Sequence, residues 1–515
     1  MAKILRRFQV QSLAGHAADK VAILVNPPVY DTQYWARWSQ PYGLLRIAAL
    51  LRKHGYKHLA LFDFMQTDSR GKVALRRINP GETYDDCEDP ARPLRSHVVA
   101  KDGQSLELNR YHFGRTWGEF EGWLDEQGFD AAHPPDEVWI STAMTYWWES
   151  VRDLTVRLKR RFGSKTLVLL GGIYPTLVPE HASQRTSTDL VVVGEVEEAN
   201  DLWPDLSLYG TAPTYAIVTP SRGCPNNCAY CAQRTINGQR RAVQYRAKED
   251  VVAEMRHAYE AYGIREFALY ADFLLWDHEH NLQPILQLLV DERLPFRLHA
   301  PEGLDVRYLS QSQRLVDLLK SAHVERIYLP CESVDEGYLR SLNRRHVRLE
   351  HFVRAVEMVE RAGYRMRNLE VNAFVLYGLP GETIDQVVKT ILFVSEVVGS
   401  IIPMLFTPVP TTQIYEARLP YFQQRGWDQD LHMLNGKLFP FLAMNEGSIE
   451  DYIDLQRLMF TLNTHYRSRS FRVFGDTRVS TAFRENLTDG FGVWMSSRRN
   501  RGAALGAGGR SEEEP

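Results

Sequence analysis

The chain has 515 residues, more than one ordinary domain holds, and its 44% hydrophobic and 24% charged residues are the balance of a globular protein. Lysine and arginine number 61 against 64 aspartates and glutamates, so the net charge of −3 gives no electrostatic case for nucleic acid or an anionic membrane as partner. No apolar run is long enough to span a bilayer, and residues 1–20 lack the apolar core of a secretory signal, so a cytoplasmic location is expected.

In chain order, residues 1–19 read as an N-terminal extension. Residues 21–25 (VAILV) are a strand stopped by Asn26-Pro27-Pro28, and 43–54 (GLLRIAALLRKH) carry helical spacing that ends at Gly55. Further strands fall at 58–64, 137–141, 166–170 and 189–193, with an amphipathic helix over 149–162. Continuous apolar strands alternating with helices predict a doubly wound parallel sheet over residues 20–205, of Rossmann-like type. Its strands end in polar or glycine-rich pairs, Ser141-Thr142, Gly171-Gly172 and Gly194-Glu195, where such sheets hold ligands. Residues 65–135, rich in charge and proline and containing Cys87, read as an insertion with one short helix (117–126).

A second series spans 210–430. Strands are expected at 215–220, 266–271, 296–300, 326–330, 369–377 and 401–406, each followed by a helical pattern. Six βα units in strict order describe a partial TIM-type barrel, two units short of a closed one. Residues 431–495 form a small, mostly helical C-terminal region with one clear helix at 449–466. The tail 496–515 is Gly-rich and charged, the composition of a disordered segment.

Directly after the first barrel strand comes Cys224-Pro225-Asn226-Asn227-Cys228-Ala229-Tyr230-Cys231. Three of the five cysteines thus lie within eight positions, which argues against a disulfide framework and for a metal site in a reduced compartment. Three thiolates can hold three corners of a 4Fe–4S cluster and leave one iron open. A structural zinc site closes with four protein ligands, and no fourth cysteine stands nearby.

This motif resembles that of the radical S-adenosylmethionine (radical SAM) superfamily. The resemblance implies that the open iron chelates S-adenosylmethionine and that reductive cleavage yields a 5′-deoxyadenosyl radical. It also implies an external electron donor of flavodoxin or ferredoxin type. By the same resemblance, Tyr230, Asp272, Glu332, Ser333, Gly378 and Pro380 would bind S-adenosylmethionine. Asp272 stands where many members carry a Gly-Gly-Glu run, and the string 375–383 (VLYGLPGET) resembles the Gly-rich adenine-packing segment. Asp272 reads equally well as a helix cap, Glu382 as a carboxylate near a helix start, and Cys331 as a small core residue.

The N-terminal sheet resembles the cobalamin-binding domain of one subgroup, through VAILVNPP, PYGLLRIAALLRKHGY, MTYWW, GGIYPTLVPEHA and VVVGEVEEA. The resemblance implies corrin contacts from Ser141, Thr145, Gly171, Gly172, Thr176, Gly194 and Glu195. The Asp-x-His-x-x-Gly loop that places a histidine below cobalt does not occur in residues 1–205. Trp147 and Trp148 read as corrin-facing or as core, and His54, His181 and His299 as surface or satisfied core residues.

The expected activity is cobalamin-dependent methyl transfer to an unactivated carbon of a small-molecule or peptide substrate. Radical cyclisation, desaturation or rearrangement, and a non-catalytic corrinoid or redox sensor, are the alternatives.

Overall fold

The computed structural model describes residues 1–10, 19–32, 38–66, 95–99, 105–240, 242–366, 369–398, 400–465 and 478–488. Cys87 and the tail 496–515 lie outside the described residues.

The N-terminal sheet has six strands: β1 (Lys3–Leu5), β2 (Val21–Asn26), β3 (His58–Asp63), β4 (Glu137–Thr142), β5 (Leu167–Gly172) and β6 (Leu190–Val192). They are all parallel and run in the order β1-β6-β5-β4-β2-β3. Alternate residues serve opposite faces, as the two-residue strand period requires. Ala22, Leu24, Trp139 and Leu169 pack against Leu44, Ala48 and Leu51 of helix α1 (Tyr42–Lys53). Ile23, Val25, Val138, Ile140 and Leu170 pack against Val151, Leu154 and Leu158 of helix α2 (Trp148–Phe162).

Two expectations need correction here. Residues 1–19 are not merely an extension, because β1 adds the edge strand beyond β6. At three residues it is too short to show a periodic pattern. The insertion 65–135 holds more than its helix Trp117–Glu126: a hairpin joins Arg95–Val99 to Ser105–Asn109, and Tyr111–Phe113 pairs with Val29–Asp31.

The second unit contains strands β7 (Ala216–Val218), β8 (Glu266–Leu269), β9 (Arg297–His299), β10 (Ile327–Pro330), β11 (Val371–Tyr377) and β12 (Ser400–Leu405). One main helix follows each strand: α3 (Lys248–Tyr262), α4 (Leu282–Asp291), α5 (Gln313–Ser321), α6 (Leu349–Arg361), α7 (Ile384–Val397) and α8 (Gln413–Gln424), with short helices at Gln233–Ile236, Val306–Leu309 and Glu336–Ser341 between them. The strands form two parallel three-stranded sheets, joined between β9 and β10 by the bridge Leu298↔Val324. The result is the open, partial barrel expected from six βα units.

Residues outside the barrel meet both of its free edges. Gln40 accepts from Ile217 N at 3.0 Å and donates to Tyr215 O at 3.4 Å, along β7. On β12, Asn463 of helix α9 (Ile449–His465) accepts from Ile401 N and donates to Ile401 O, both at 2.7 Å. A final helix, Arg478–Thr488, lies in a stretch that reads as irregular, because its polar residues hide the helical period. Core residues of the N-terminal sheet, the barrel and the C-terminal region form one cluster that includes Leu170, Leu379, Phe406, Phe422 and Phe441.

Candidate active site

The cysteine loop leaves the carboxyl end of β7, where a parallel barrel carries its chemistry. Gly223 opens it with φ +104°, and a Cβ there would lie 2.7 Å from Ala242 O, so only glycine fits. Gly223 N donates to Asp272 Oδ2 at 2.6 Å, and Asn237 Nδ2 donates to the same oxygen at 2.8 Å. Asp272 therefore braces the loop from the end of β8 and does not cap a helix. Ala229 is held on both sides, donating to Leu342 O at 2.9 Å and accepting from Ile414 N at 3.1 Å.

None of the three cysteines is in a disulfide. Cys228 is buried, Cys224 half-buried and Cys231 exposed. Burial pushes the Cys224 thiol up to about 11, and the neighbouring sulfurs push the same way. Sulfurs that oppose the ionisation of Cys224 suit a cationic iron–sulfur core, which would relieve that repulsion. Among the described residues no three His, Cys, Asp or Glu side chains converge on a single ion. A cuboidal cluster takes its thiolates at separate corners, so the spread is consistent with it.

A buried ion pair stands beside the loop. Arg344 Nη2 lies 2.8 Å from Glu332 Oε1, and Arg344 Nη1 donates to Cys228 Sγ at 3.6 Å. Burial pushes the Glu332 carboxyl up, against the pull of Arg344. Burial also opposes the Arg344 charge, yet the Glu332 carboxylate keeps the guanidinium ionised well above its ordinary range. Glu332 has φ +53°, a left-handed backbone that a non-glycine residue rarely adopts and that turns the chain at the end of β10. Ser333 Oγ accepts from Asp335 N at 3.1 Å. Cys331 is core, with its thiol pushed far up by burial. Tyr230 packs against the core, and its buried hydroxyl has no hydrogen-bond partner among the described residues.

After β11 the chain turns through Gly378 at φ +87°. Gly378 N donates to Glu382 Oε2 at 2.9 Å, which folds the loop on itself, and Thr383 caps α7 in place of Glu382. Tyr338 Oη donates to Pro380 O at 3.5 Å. Asn445 of the C-terminal region accepts from Gly381 N at 3.1 Å and donates to Tyr452 Oη at 2.9 Å. Neither Arg344 nor Asn445 was legible as a site residue. The first is one of several arginines in 340–348, and the second lies 64 residues beyond the loop it supports.

The residues expected against a corrin divide into two groups. Ser141 and Gly171 face each other at the carboxyl ends of β4 and β5, and nothing lies within 4 Å of a Cβ built on Gly171. Gly194 is equally open. Thr145 is buried. Gly172, by contrast, is required by its own fold: at φ +102° a Cβ would sit 2.4 Å from Thr142 O. Thr176 Oγ1 donates to Gly172 O at 2.7 Å and accepts from Gly194 N at 2.9 Å, so it ties two strand ends together. Glu195 pairs with Arg222, which precedes the cysteine loop, and so links the two units. His181 is satisfied, bonded to Tyr174 and to Gln429 O, and Trp148 is core. Trp147 donates to the buried Asp31 at 3.2 Å.

Among known proteins, the profile described as the Radical SAM superfamily matches residues 218–394. Bacteriochlorophyllide d C-12(1)-methyltransferase of Chlorobaculum tepidum is 22% identical over 350 residues, 60% of this chain and 73% of that one. A tRNA-2-methylthio-N(6)-dimethylallyladenosine synthase of Sulfurihydrogenibium is 22% identical over 250 residues, 46% of this chain and 53% of that relative, about half its length. The radical S-adenosylmethionine methyltransferase TsrM of Kitasatospora setae, solved with tryptophan and a SAM analogue bound, superposes with a TM-score of 0.54 at 14% identity. That match covers 77% of this chain and 75% of TsrM and shows a shared fold. No helix among the described residues is long and apolar enough to cross a membrane. A thiol loop at the end of the first barrel strand lies within the matched span, so residues 218–394 carry a radical SAM domain, and that domain implies a 4Fe–4S cluster and S-adenosylmethionine.

Proposed function

We propose that the chain is a cobalamin-dependent radical SAM methyltransferase acting on an unactivated carbon of a small-molecule or peptide substrate. The observation that carries this reading is the carboxyl edge of the N-terminal sheet. Met144, just beyond β4, and Ile173, just beyond β5, expose 44% and 38% of their surface, beside the open backbone of Gly171. Large apolar side chains left in water at a ligand-binding strand end suit a flat, largely apolar group such as a corrin face. The TsrM structure with cobalamin and a 4Fe–4S cluster supports the reading through its fold, with a TM-score of 0.52. The Chlorobaculum relative supports it by being named a methyltransferase.

When bound, the cluster and S-adenosylmethionine supply a carbon-centred radical, and cobalamin supplies a methyl carrier. The chain's own residues hold and orient these groups. Cys224, Cys228 and Cys231 hold the cluster, Asp272 and the Gly378–Glu382 turn frame the S-adenosylmethionine site, and Gly171 and Gly194 leave room for the corrin. A flavodoxin- or ferredoxin-type protein delivers the electron.

Anaerobic reconstitution with iron, sulfide and hydroxocobalamin, followed by desalting, tests the assignment. Stoichiometric corrin absorption beside the cluster band is expected. A cluster band without corrin would remove cobalamin from the proposal and with it the methyl-transfer route.

A further inference from the structure

One guanidinium reaches the carboxyl edges of both parallel units. Glu195 lies just beyond β6 of the N-terminal sheet, Asp272 lies beyond β8 of the barrel, and Arg222 stands between them. Arg222 forms an ion pair with Glu195, and its Nε lies 4.0 Å from Asp272 Oδ2. Asn237 relays the same link, because it accepts from Arg222 Nη2 at 3.5 Å and donates to Asp272 Oδ2 at 2.8 Å. The side chains of Glu195 and Asp272 expose only 20% and 14% of their surface, so water and salt screen this bridge incompletely. The neighbouring pair Arg240–Glu197 is the weaker tie, since Glu197 is 71% exposed.

Each end of the bridge is fastened to backbone beside a candidate cofactor site. Gly194 N donates to Thr176 Oγ1, which in turn donates to Gly172 O, so Glu195 continues the edge that holds the open backbone of Gly171 and Gly194. At the other end Asp272 accepts from Gly223 N at 2.6 Å, directly before Cys224. The backbone of Arg222 is held independently: Ser221 and Arg222 form a short antiparallel ribbon with Tyr245 and Gln244. Replacing the Arg222 side chain therefore removes the bridge and leaves the ribbon in place.

We propose that the Glu195–Arg222–Asp272 bridge is a positioning device that couples corrin binding at the N-terminal sheet to the state of the cysteine loop. The inference rests on the proposed cobalamin reading. A cluster held by Cys224, Cys228 and Cys231 fixes the loop, and through Gly223, Asp272 and Arg222 it also fixes Glu195 and Gly194. Corrin then meets an edge already ordered and loses less conformational entropy on binding. The coupling is reciprocal, so corrin in turn favours the loop geometry that holds the cluster. Glu195 serves the corrin through position and not through contact: its carboxylate pairs with Arg222 and accepts from Asn200 Nδ2 at 3.5 Å.

The test is anaerobic equilibrium dialysis of the full chain against cyanocobalamin, in cluster-free and in cluster-loaded protein. The cyanide already caps the cobalt, so the free thiols of the cluster-free protein do not capture it. In the parent, loading the cluster is expected to tighten corrin binding about tenfold, within the usual range for coupled sites. In Arg222→Gln that ratio should fall to about one while the cluster band remains. A general loss of stability weakens both states alike and leaves the ratio unchanged, so it does not imitate this result. Where Arg222→Gln does not take up the cluster, Glu195→Gln breaks the same bridge from the sheet side and should give the same collapse. An uncoupled parent, or the parental ratio in either cluster-loaded variant, overturns the inference. A parent that binds no corrin in either state overturns the cobalamin reading beneath it.

Discussion

Asn463 and Ile401 exchange two hydrogen bonds of 2.7 Å, so that one side-chain amide does the work of a neighbouring strand. Gln40 does the same for Tyr215 and Ile217 on the opposite edge of the barrel. A partial barrel has two free edges, and free edges invite pairing with other chains. Here each edge is closed by one carboxamide contributed by a flanking region.

Asn463→Leu and Gln40→Leu should therefore each destabilise the protein by about 1–3 kcal/mol, because each strands a backbone donor and acceptor. The caps sit at opposite edges and share no partner, so the double variant should lose the sum. Urea denaturation checks this, and variants as stable as the parent would show that water satisfies those edges equally well.

Adjacent glycines at the end of β5 should respond in opposite ways. Gly172→Ala forces a Cβ against Thr142 O at a backbone angle that alanine resists, so the N-terminal unit should lose several kcal/mol or fail to fold. Gly171→Leu meets open space and should leave stability nearly unchanged. If the corrin lies where Met144 and Ile173 are exposed, that same leucine should abolish corrin retention while the cluster band persists. A Gly171→Leu protein that keeps its corrin would move the cofactor elsewhere.

The contrast between those glycines also marks how much the sequence could reveal. Apolar runs alternating with helical spacing disclosed both parallel units, because buried strands and amphipathic helices impose periods on the chain. The cysteine spacing marked the thiol loop for an equally local reason. What stayed hidden depends on distant partners: Gln40 against Ile217, Asn463 against Ile401, Asn445 against Gly381, and Arg344 against Cys228. The strand Lys3–Leu5 was too short to register a period. Gly171 and Gly172 look alike in sequence, and only the nearness of Thr142 O separates a structural glycine from an open one.

Glu382 sets a pH dependence of stability. Burial raises its carboxyl to about 8, while Gly378 N pulls in the opposite direction. The unfolded chain returns it to the ordinary carboxylate range. Between those values the folded state holds a proton that the unfolded state has released, so stability falls as pH rises through that window. The contribution is complete at acid pH and lost once pH passes about 8. Glu382→Gln should flatten this part of the profile in denaturation measured from pH 5 to 9, and an unaltered slope would refute the assignment.

Arg344 offers the sharpest separation of structure from redox tuning. Its guanidinium neutralises the buried Glu332 and lies against the Cys228 sulfur. Arg344→Met leaves Glu332 buried without a counter-charge, a change that costs about 3–5 kcal/mol when one partner of such a pair is removed. Adding Glu332→Gln removes the orphaned charge and should restore much of that loss in the cluster-free protein. The redox effect should not be restored. A cation beside a cluster thiolate favours the reduced, more negative cluster, so both the single and the double variant should show a lower midpoint potential than the parent. Potentiometric titration of the reconstituted proteins reads this directly. Recovery of the parental potential in the double variant would mean that Arg344 matters only through Glu332, and that its contact with Cys228 carries no electrostatic weight.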